Sequence, residues 1–233
     1  MTAISHLPLR RAIIETGQAM NRLGINQGAS GNLSVRAGDG FLITPSSLPY
    51  DEMQVEDVVE MALDGTWRGD RRPSSEWRFH RDILAARPDV EAVVHAHPTF
   101  CTVLAVHRKP IPPFHYMVAL AGGPDIRCGD YATFGTQDLS DNALKALEGR
   151  TACLLANHGL LALGGSLKAA LALAVEVEAL ARQYVHALML GQPVILPDAE
   201  IARVQDKMRR MKYGQNPDDT SGDTPGDASL GGH

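Results

Sequence analysis

The run Val93-Val94-His95-Ala96-His97 decides how this chain is read, and Leu154-Leu155-Ala156-Asn157-His158-Gly159 answers it later in the sequence. The first is an apolar stretch ending in a His-x-His pair. Successive side chains of a β-strand point to opposite faces, so a strand here carries His95 and His97 to the same side. The second reads as another buried strand, running into a glycine turn that can deliver the imidazole of His158. Three histidines with one position left open hold a catalytic divalent metal, whereas structural sites are closed.

The flanking sequence places these strands in an α/β fold. Ile13, Ile14, Gly17, Met20 and Leu23 recur at helical spacing, and Gly24 ends the run. Residues 32–35 and 41–44 read as short strands joined by the Gly38-Asp39-Gly40 turn, and 58–63 as a third strand closed by Asp64-Gly65. Pro73-Ser74-Ser75 opens a helix that runs to about Ala86; a strand at 90–95 follows, and another helix begins after Pro98. Residues 126–131 are expected to be extended, 139–147 helical, 151–156 a buried strand, and 167–190 and 198–212 the final helices. Strands interleaved with helices predict a sheet covered by helices, and the hairpin near residue 40 makes that sheet mixed rather than wholly parallel. From Gly214 to His233 the chain is Gly, Asp, Ser, Thr and Pro with little to bury, so 214–233 is expected to be a disordered tail behind one domain at 1–213.

Composition narrows the class of partner. At 233 residues with 44% hydrophobic and 21% charged residues, the chain supports one sizeable core without staples. A net charge of −5, with basic residues gathered no further than adjacent pairs such as Arg71-Arg72 and Arg209-Arg210, argues against nucleic acid, whose phosphates need a basic footprint. A small phosphorylated ligand remains compatible, because backbone N–H groups and hydroxyls hold one phosphate locally. Cys101, Cys128 and Cys153 are odd in number and lack CxxC spacing, which fits a reducing cytoplasm. No secretory leader is expected at the N-terminus. The apolar run 167–190 is interrupted by Glu176, Glu178, Arg182, Gln183 and His186, so it is expected to be an amphipathic helix and not a membrane span.

Three further motifs bear on chemistry. Pro73-Ser74-Ser75-Glu76-Trp77-Arg78-Phe79-His80 has the hydroxyls and acid of a helix start, a reading that can account for one serine and the glutamate but leaves a hydroxyl free. Pointed outward, the same groups form an anion site, with Glu76 between it and the histidines as ligand or general base. His80 is either a packing residue or a partner behind the site. Gly28-Ala29-Ser30-Gly31-Asn32 reads first as a turn and second as a loop that approaches a phosphate. Thr44-Pro45-Ser46-Ser47 carries the same two readings.

These blocks, together with His115-Tyr116-Met117, Ala121-Gly122-Gly123 and Tyr131-Ala132-Thr133-Phe134-Gly135-Thr136, resemble the class II aldolase/adducin family over about residues 23–190. The resemblance implies a single-domain, largely antiparallel sheet between helices and a homotetramer with active sites between subunits. It implies a divalent metal, zinc in the usual case, on His95, His97 and His158, with Glu76 as ligand and acid/base. Gly31, Asn32, Ser46, Ser47, Ser74 and Ser75 would bind phosphate, Phe134 would place an aldehyde, and Tyr116 from a neighbouring subunit would serve the aldehyde oxygen. Tyr213 matches a further catalytic tyrosine. The chain departs from the family's aldolases at Ala29, Ser47 and Asn157, where threonine, glycine and histidine are usual.

The activity implied is reversible cleavage of L-fuculose 1-phosphate, or a related deoxypentulose 1-phosphate, to dihydroxyacetone phosphate and lactaldehyde, acetaldehyde or a similar aldehyde. A pentulose-phosphate 4-epimerase and a methylthioribulose-1-phosphate dehydratase or aldolase are the alternatives within the family. An adducin-like structural module is disfavoured, because all three histidines and the glutamate are present. Schiff-base chemistry is disfavoured as well, since no lysine falls in a buried apolar strand.

Overall fold

A computed structural model of the chain describes residues 4–211. Tyr213 and the expected tail at 214–233 lie outside the described residues. The elements in order are helix α1 (Leu7–Arg22), strands β1 (Asn32–Ala37), β2 (Gly40–Ile43), β3 (Val59–Ala62) and β4 (Trp67–Arg68), and helix α2 (Trp77–Ala86). Strand β5 (Ala92–Ala96), helix α3 (Thr99–Val106) and a 3₁₀ helix (Tyr116–Ala121) follow. Strand β6 (Cys128–Gly129), helix α4 (Gln137–Ala146), strands β7 (Ala152–Leu155) and β8 (Gly159–Gly164), and helices α5 (Leu167–Leu190) and α6 (Asp198–Arg210) complete the described chain.

The eight strands form one sheet in the order β4-β3-β2-β1-β5-β8-β7-β6, antiparallel throughout except for the β6–β7 pair. The mixed, largely antiparallel α/β architecture is therefore the one the sequence predicts. Strand alternation divides the core in two. Ala92, Val94, Ala96, Leu160 and Ala162 pack with Ile13 and Met20 of α1, Leu104 of α3 and Ala174 of α5. Val93, Leu161, Leu163, Cys153 and Leu155 pack with Phe79 and Ile83 of α2 and Ala143 of α4 on the other face. Every residue of β5 is buried, which is why its sequence is apolar at every position but His95. No helix among the described residues is long and apolar enough to cross a membrane.

Four details differ from the sequence expectations. Strand β8 was not anticipated: its bounding glycines read as turns, yet it is central and pairs with both β5 and β7. Helix α2 begins at Trp77 and not at the serines, because Ser74 N–H donates to Thr44 O and Pro73 bridges Pro45, so tertiary pairing claims the segment first. The extended segment at 126–131 shrinks to β6 plus a bridge between Ile126 and Ile111. The short β4 and the 3₁₀ helix carry no strong periodicity in the sequence.

Candidate active site

The central strands deliver the imidazoles. On β5, His95 shares the α2/α4 side with Val93 and is fully buried; its ring meets the edge of Phe79 with centroids 5.3 Å apart. His97 follows the end of the strand, and Pro98 then opens α3. His158 lies in the tight connection between β7 and β8, where Asn157 takes the left-handed conformation with φ 54°. Asparagine is one of the few residues that tolerate it. Gly159 must lack a side chain: a Cβ there would stand 2.4 Å from Ala96 O and 2.7 Å from His97 Cδ2. The Asn-His-Gly order is thus dictated by a turn that has to pass close to β5.

The three histidines present ligand nitrogens within 4.8 Å of one another. His95 Nε2 is 3.0 Å from His97 Nε2, and the rings of His95 and His158 are 4.8 Å apart between centroids. Glu76 closes the group, with Oε2 3.2 Å from His95 Nε2 and Oε1 3.2 Å from His158 Nε2. It is the residue immediately before α2 and only 5% exposed.

The donor set fits a divalent cation on three grounds. His95 Nδ1–H donates to Leu160 O at 3.0 Å, so the His95 Nε2 lone pair faces its neighbours and not a proton. Glu76 Oε1 is buried and receives no hydrogen bond. Two ligands held about 2.0–2.1 Å from a tetrahedral ion lie roughly 3.3 Å apart, close to the spacings here.

Electrostatics act in the same sense. Burial alone would raise the Glu76 carboxyl, but the adjacent imidazoles of His95 and His158 outweigh it and hold the acid well below the usual carboxylate range. Burial, reinforced by the neighbouring His95 and His158, pushes His97 down to about 3, so its imidazole is neutral and a competent ligand at physiological pH.

A cleft of about 380 Å³ opens over these groups. Gly31, Asn32, Ser46, Ser47, Ser74 and Ser75 line one part, with Glu76, His97, His158, Asn157, Tyr131 and Phe134 completing the wall. The serines meet because Ser46 N–H donates to Arg72 O while Ser74 N–H donates to Thr44 O, stitching two distant segments together. Ser47 has φ 59°, a conformation that favours glycine. A Cβ on Gly31 would lie 2.6 Å from His95 O, so only glycine lets the loop before β1 pass there.

All the candidate ligands and phosphate-contacting residues named from sequence therefore surround one cleft, with His95 beneath its floor. Tyr116 does not join them: it is 49% exposed on the 3₁₀ helix and absent from the cleft wall of its own chain. Tyr131, Ala132 and Asn157 line the cleft without having been singled out as site residues. Their adjacency to Phe134 and His158 was the available signal. Behind the wall, His80 bridges Ser34 and Asn32, a connection across two elements that the sequence does not reveal.

A helix-covered, mostly antiparallel sheet carrying this His₃–carboxylate group beside a hydroxyl-lined cleft is the architecture of an enzyme whose site could hold a metal ion. The chain belongs to the class II aldolase and adducin N-terminal domain family, which it matches over residues 11–185. It is 58% identical over 212 residues to a 5-methylthioribulose-1-phosphate/5-deoxyribulose-1-phosphate aldolase of Rhodospirillum rubrum, covering 91% of this chain and 95% of that protein. It is 47% identical over 202 residues to the L-fuculose phosphate aldolase of Escherichia coli strain K12, covering 86% and 94%. Among solved structures, an L-fuculose 1-phosphate aldolase superposes with a TM-score of 0.85 at 41% identity, covering 89% of this chain and 98% of that one. The protein is a class II aldolase, a carbon–carbon lyase.

Proposed function

We propose that this aldolase reversibly cleaves a ketose 1-phosphate to dihydroxyacetone phosphate and a small aldehyde. Its preferred substrate is a 5-deoxy- or 5-methylthiopentulose 1-phosphate, and L-fuculose 1-phosphate comes second. The observation that carries the reading is the cleft in which three imidazoles and a buried carboxylate stand beside a serine-lined end. The substrate preference is supported by the 58% identity to the R. rubrum aldolase, against 47% for the E. coli fuculose-phosphate enzyme.

In this reading His95, His97 and His158 hold a divalent cation, zinc being the best match to an all-nitrogen set with a carboxylate, and Glu76 completes its ligands at rest. Such a cation supplies Lewis-acid stabilisation of the negative charge left on the ketone fragment when the carbon–carbon bond breaks. Ser46, Ser47, Ser74, Ser75 and the backbone at Gly31 take the phosphate, which fixes the reacting carbon relative to Glu76. Glu76, ionised in its depressed state, removes a proton from the ketone fragment in the synthesis direction and returns it in cleavage. Phe134, 64% exposed at the rim, positions the aldehyde.

The enzyme works in the cytoplasm as a homotetramer in which Tyr116 of a neighbouring copy reaches the aldehyde oxygen. The half-exposed Tyr116 side chain and the three free cysteines support that assembly and location. Tyr213, outside the described residues, is the further tyrosine proposed for the same fragment.

The deciding experiment offers the purified protein 5-deoxyribulose, 5-methylthioribulose and L-fuculose 1-phosphates and measures triose-phosphate release. Release from the pentulose phosphates at the highest kcat/KM supports the proposal. Interconversion without free triose phosphate would make the enzyme an epimerase, and loss of water from the methylthio substrate a dehydratase. Activity that survives thorough chelation would remove the metal from the reading.

A further inference from the structure

His80 is a fully buried titratable group that the chemistry above leaves unused. Its Nδ1 lies 2.7 Å from Ser34 Oγ and its Nε2 lies 2.6 Å from Asn32 Oδ1. On the other side of the same amide, Asn32 Nδ2 donates to Glu76 Oε2 at 2.9 Å. Ser34, Asn32 and Glu76 are 0%, 4% and 5% exposed, so the contacts among them are largely shielded from bulk solvent. Asn32 lines the cleft, whereas Ser34 and His80 do not.

We propose that Ser34 and His80 form a buried tautomer lock that fixes the Asn32 amide as a hydrogen-bond donor toward both Glu76 and the substrate. This rests on the aldolase reading above and extends it to residues that never touch substrate. The two ends of an asparagine amide are nearly identical in shape, so its surroundings must decide which end faces the cleft. An amide oxygen only accepts, so the His80 nitrogen facing Asn32 Oδ1 must carry the proton. Nδ1 is then an acceptor, and the Ser34 hydroxyl donates to it. The ring is neutral, since burial, assisted by nearby His95, pushes His80 down to about 3.

With Oδ1 tied down, one Asn32 N–H meets the carboxylate and the second is free for a substrate oxygen. Moving the imidazole proton to Nδ1 would set a lone pair against Asn32 Oδ1. The amide would then flip and present its oxygen to the ionised Glu76. Donor capacity toward the substrate would vanish and the base would turn out of position. His80 and Ser34 are therefore positioning residues for Asn32 and Glu76.

The test has a spectroscopic arm and a kinetic arm, both on full-length, metal-loaded enzyme. Imidazole ¹⁵N–¹H correlation spectra of protein labelled at histidine, with His80 assigned by its loss in His80→Gln, should show a neutral ring protonated at Nε2. A ring protonated at Nδ1, or doubly protonated at neutral pH, overturns the proposal. Ser34→Ala and His80→Leu should each lower kcat about 10–100-fold, the range for residues that orient a site's contacting groups, with metal content unchanged. His80→Gln, which keeps an N–H near the Nε2 position, should recover most of that loss. Ser34→Ala within twofold of wild-type kcat, or His80→Gln no better than His80→Leu, overturns it. If His80→Leu does not fold, Ser34→Ala and the spectra still decide. Absence of triose-phosphate release by the wild type would fault the substrate reading instead, while the spectra still report on the lock.

Discussion

Replacing Glu76 by Gln separates the chemistry of this site from its architecture. The substitution preserves the volume of a side chain that is 5% exposed and removes only charge and proton capacity. The carboxylate now accepts from Asn32 Nδ2 at 2.9 Å, and each oxygen lies 3.2 Å from an imidazole, His95 on one side and His158 on the other. Glutamine keeps the Asn32 bond by turning its carbonyl toward it, which points its NH₂ at His158. A charge-assisted bond that becomes neutral loses about 1 kcal/mol, and the attraction to the adjacent imidazoles that keeps the acid ionised is lost as well. Stability should therefore fall by roughly 1–3 kcal/mol. The barrier should move further. A general acid/base contributes ~10²–10⁴-fold, which corresponds to about 3–5 kcal/mol. Triose-phosphate release gives kcat, elemental analysis gives bound metal, and a thermal scan gives the midpoint, all on one preparation. The expected result is kcat reduced by at least about a hundredfold with metal retained and the midpoint lowered only modestly. A Gln variant that keeps both its metal and wild-type kcat would refute the role given to Glu76.

Other perturbations test the remaining parts. His158→Ala should lose bound metal on dialysis, read by elemental analysis; a full equivalent per chain would contradict the three-imidazole assignment. Gly159→Ala would set a Cβ 2.4 Å from Ala96 O and 2.7 Å from His97 Cδ2, so it should destabilise the fold and weaken metal retention. Overpacking of that kind costs about 1–3 kcal/mol, and an unchanged denaturation midpoint would show that the strands can part without penalty. His80 and His97 are each held down to about 3 in the folded chain, below the ordinary value of 6.5. As pH falls from about 6.5 toward 3, the unfolded chain takes up protons that the folded one refuses, so stability should decline through that window and stay level with respect to these groups above it. Denaturant midpoints of chelated protein at about pH 8, 6 and 5 measure this, and a flat profile would mean that one or both rings accept protons in place.

How much of this was legible in the sequence depends on the reach of each interaction. Strand β5 declared itself because a strand buried on both faces must be apolar throughout, and His95 stands out only against that background. Strand β8 has the same character, Leu160-Leu161-Ala162-Leu163, but the glycines at its ends disguised a strand as a turn. Their physical reason, clearance from β5 and from α5, is tertiary. The two serines before Glu76 read locally as helix caps, and Ser74 does accept from Glu76 N–H. What the local pattern could not show is that pairing with Thr44 and Pro45 pulls the segment out of the helix. The contact of His80 with Ser34 and Asn32 spans a helix and a strand far apart in the chain, and no periodicity encodes it.

Close backbone approach assembles the site. Gly31, just before β1, and Gly159, at the start of β8, each leave no room for a Cβ: the first faces His95 O at 2.6 Å, the second Ala96 O at 2.4 Å. Both carbonyls belong to β5, so its last two residues are gripped from either side by neighbouring strands. The pairings Asn32↔His95 and Ala96↔Leu160 then bring Asn32, His95 and the turn bearing His158 to one level along the sheet. A slip of one residue in β5 would carry His95 to the α1/α5 face and Val94 to the α2 face, because side chains alternate. The register that buries the valines and alanines of β5 is the same register that keeps its imidazole beside Glu76. Stability of the sheet and geometry of the site are in this protein a single constraint. Variants that leave the strands paired should therefore alter chemistry without loss of fold, whereas those that disturb β5 should lose both together.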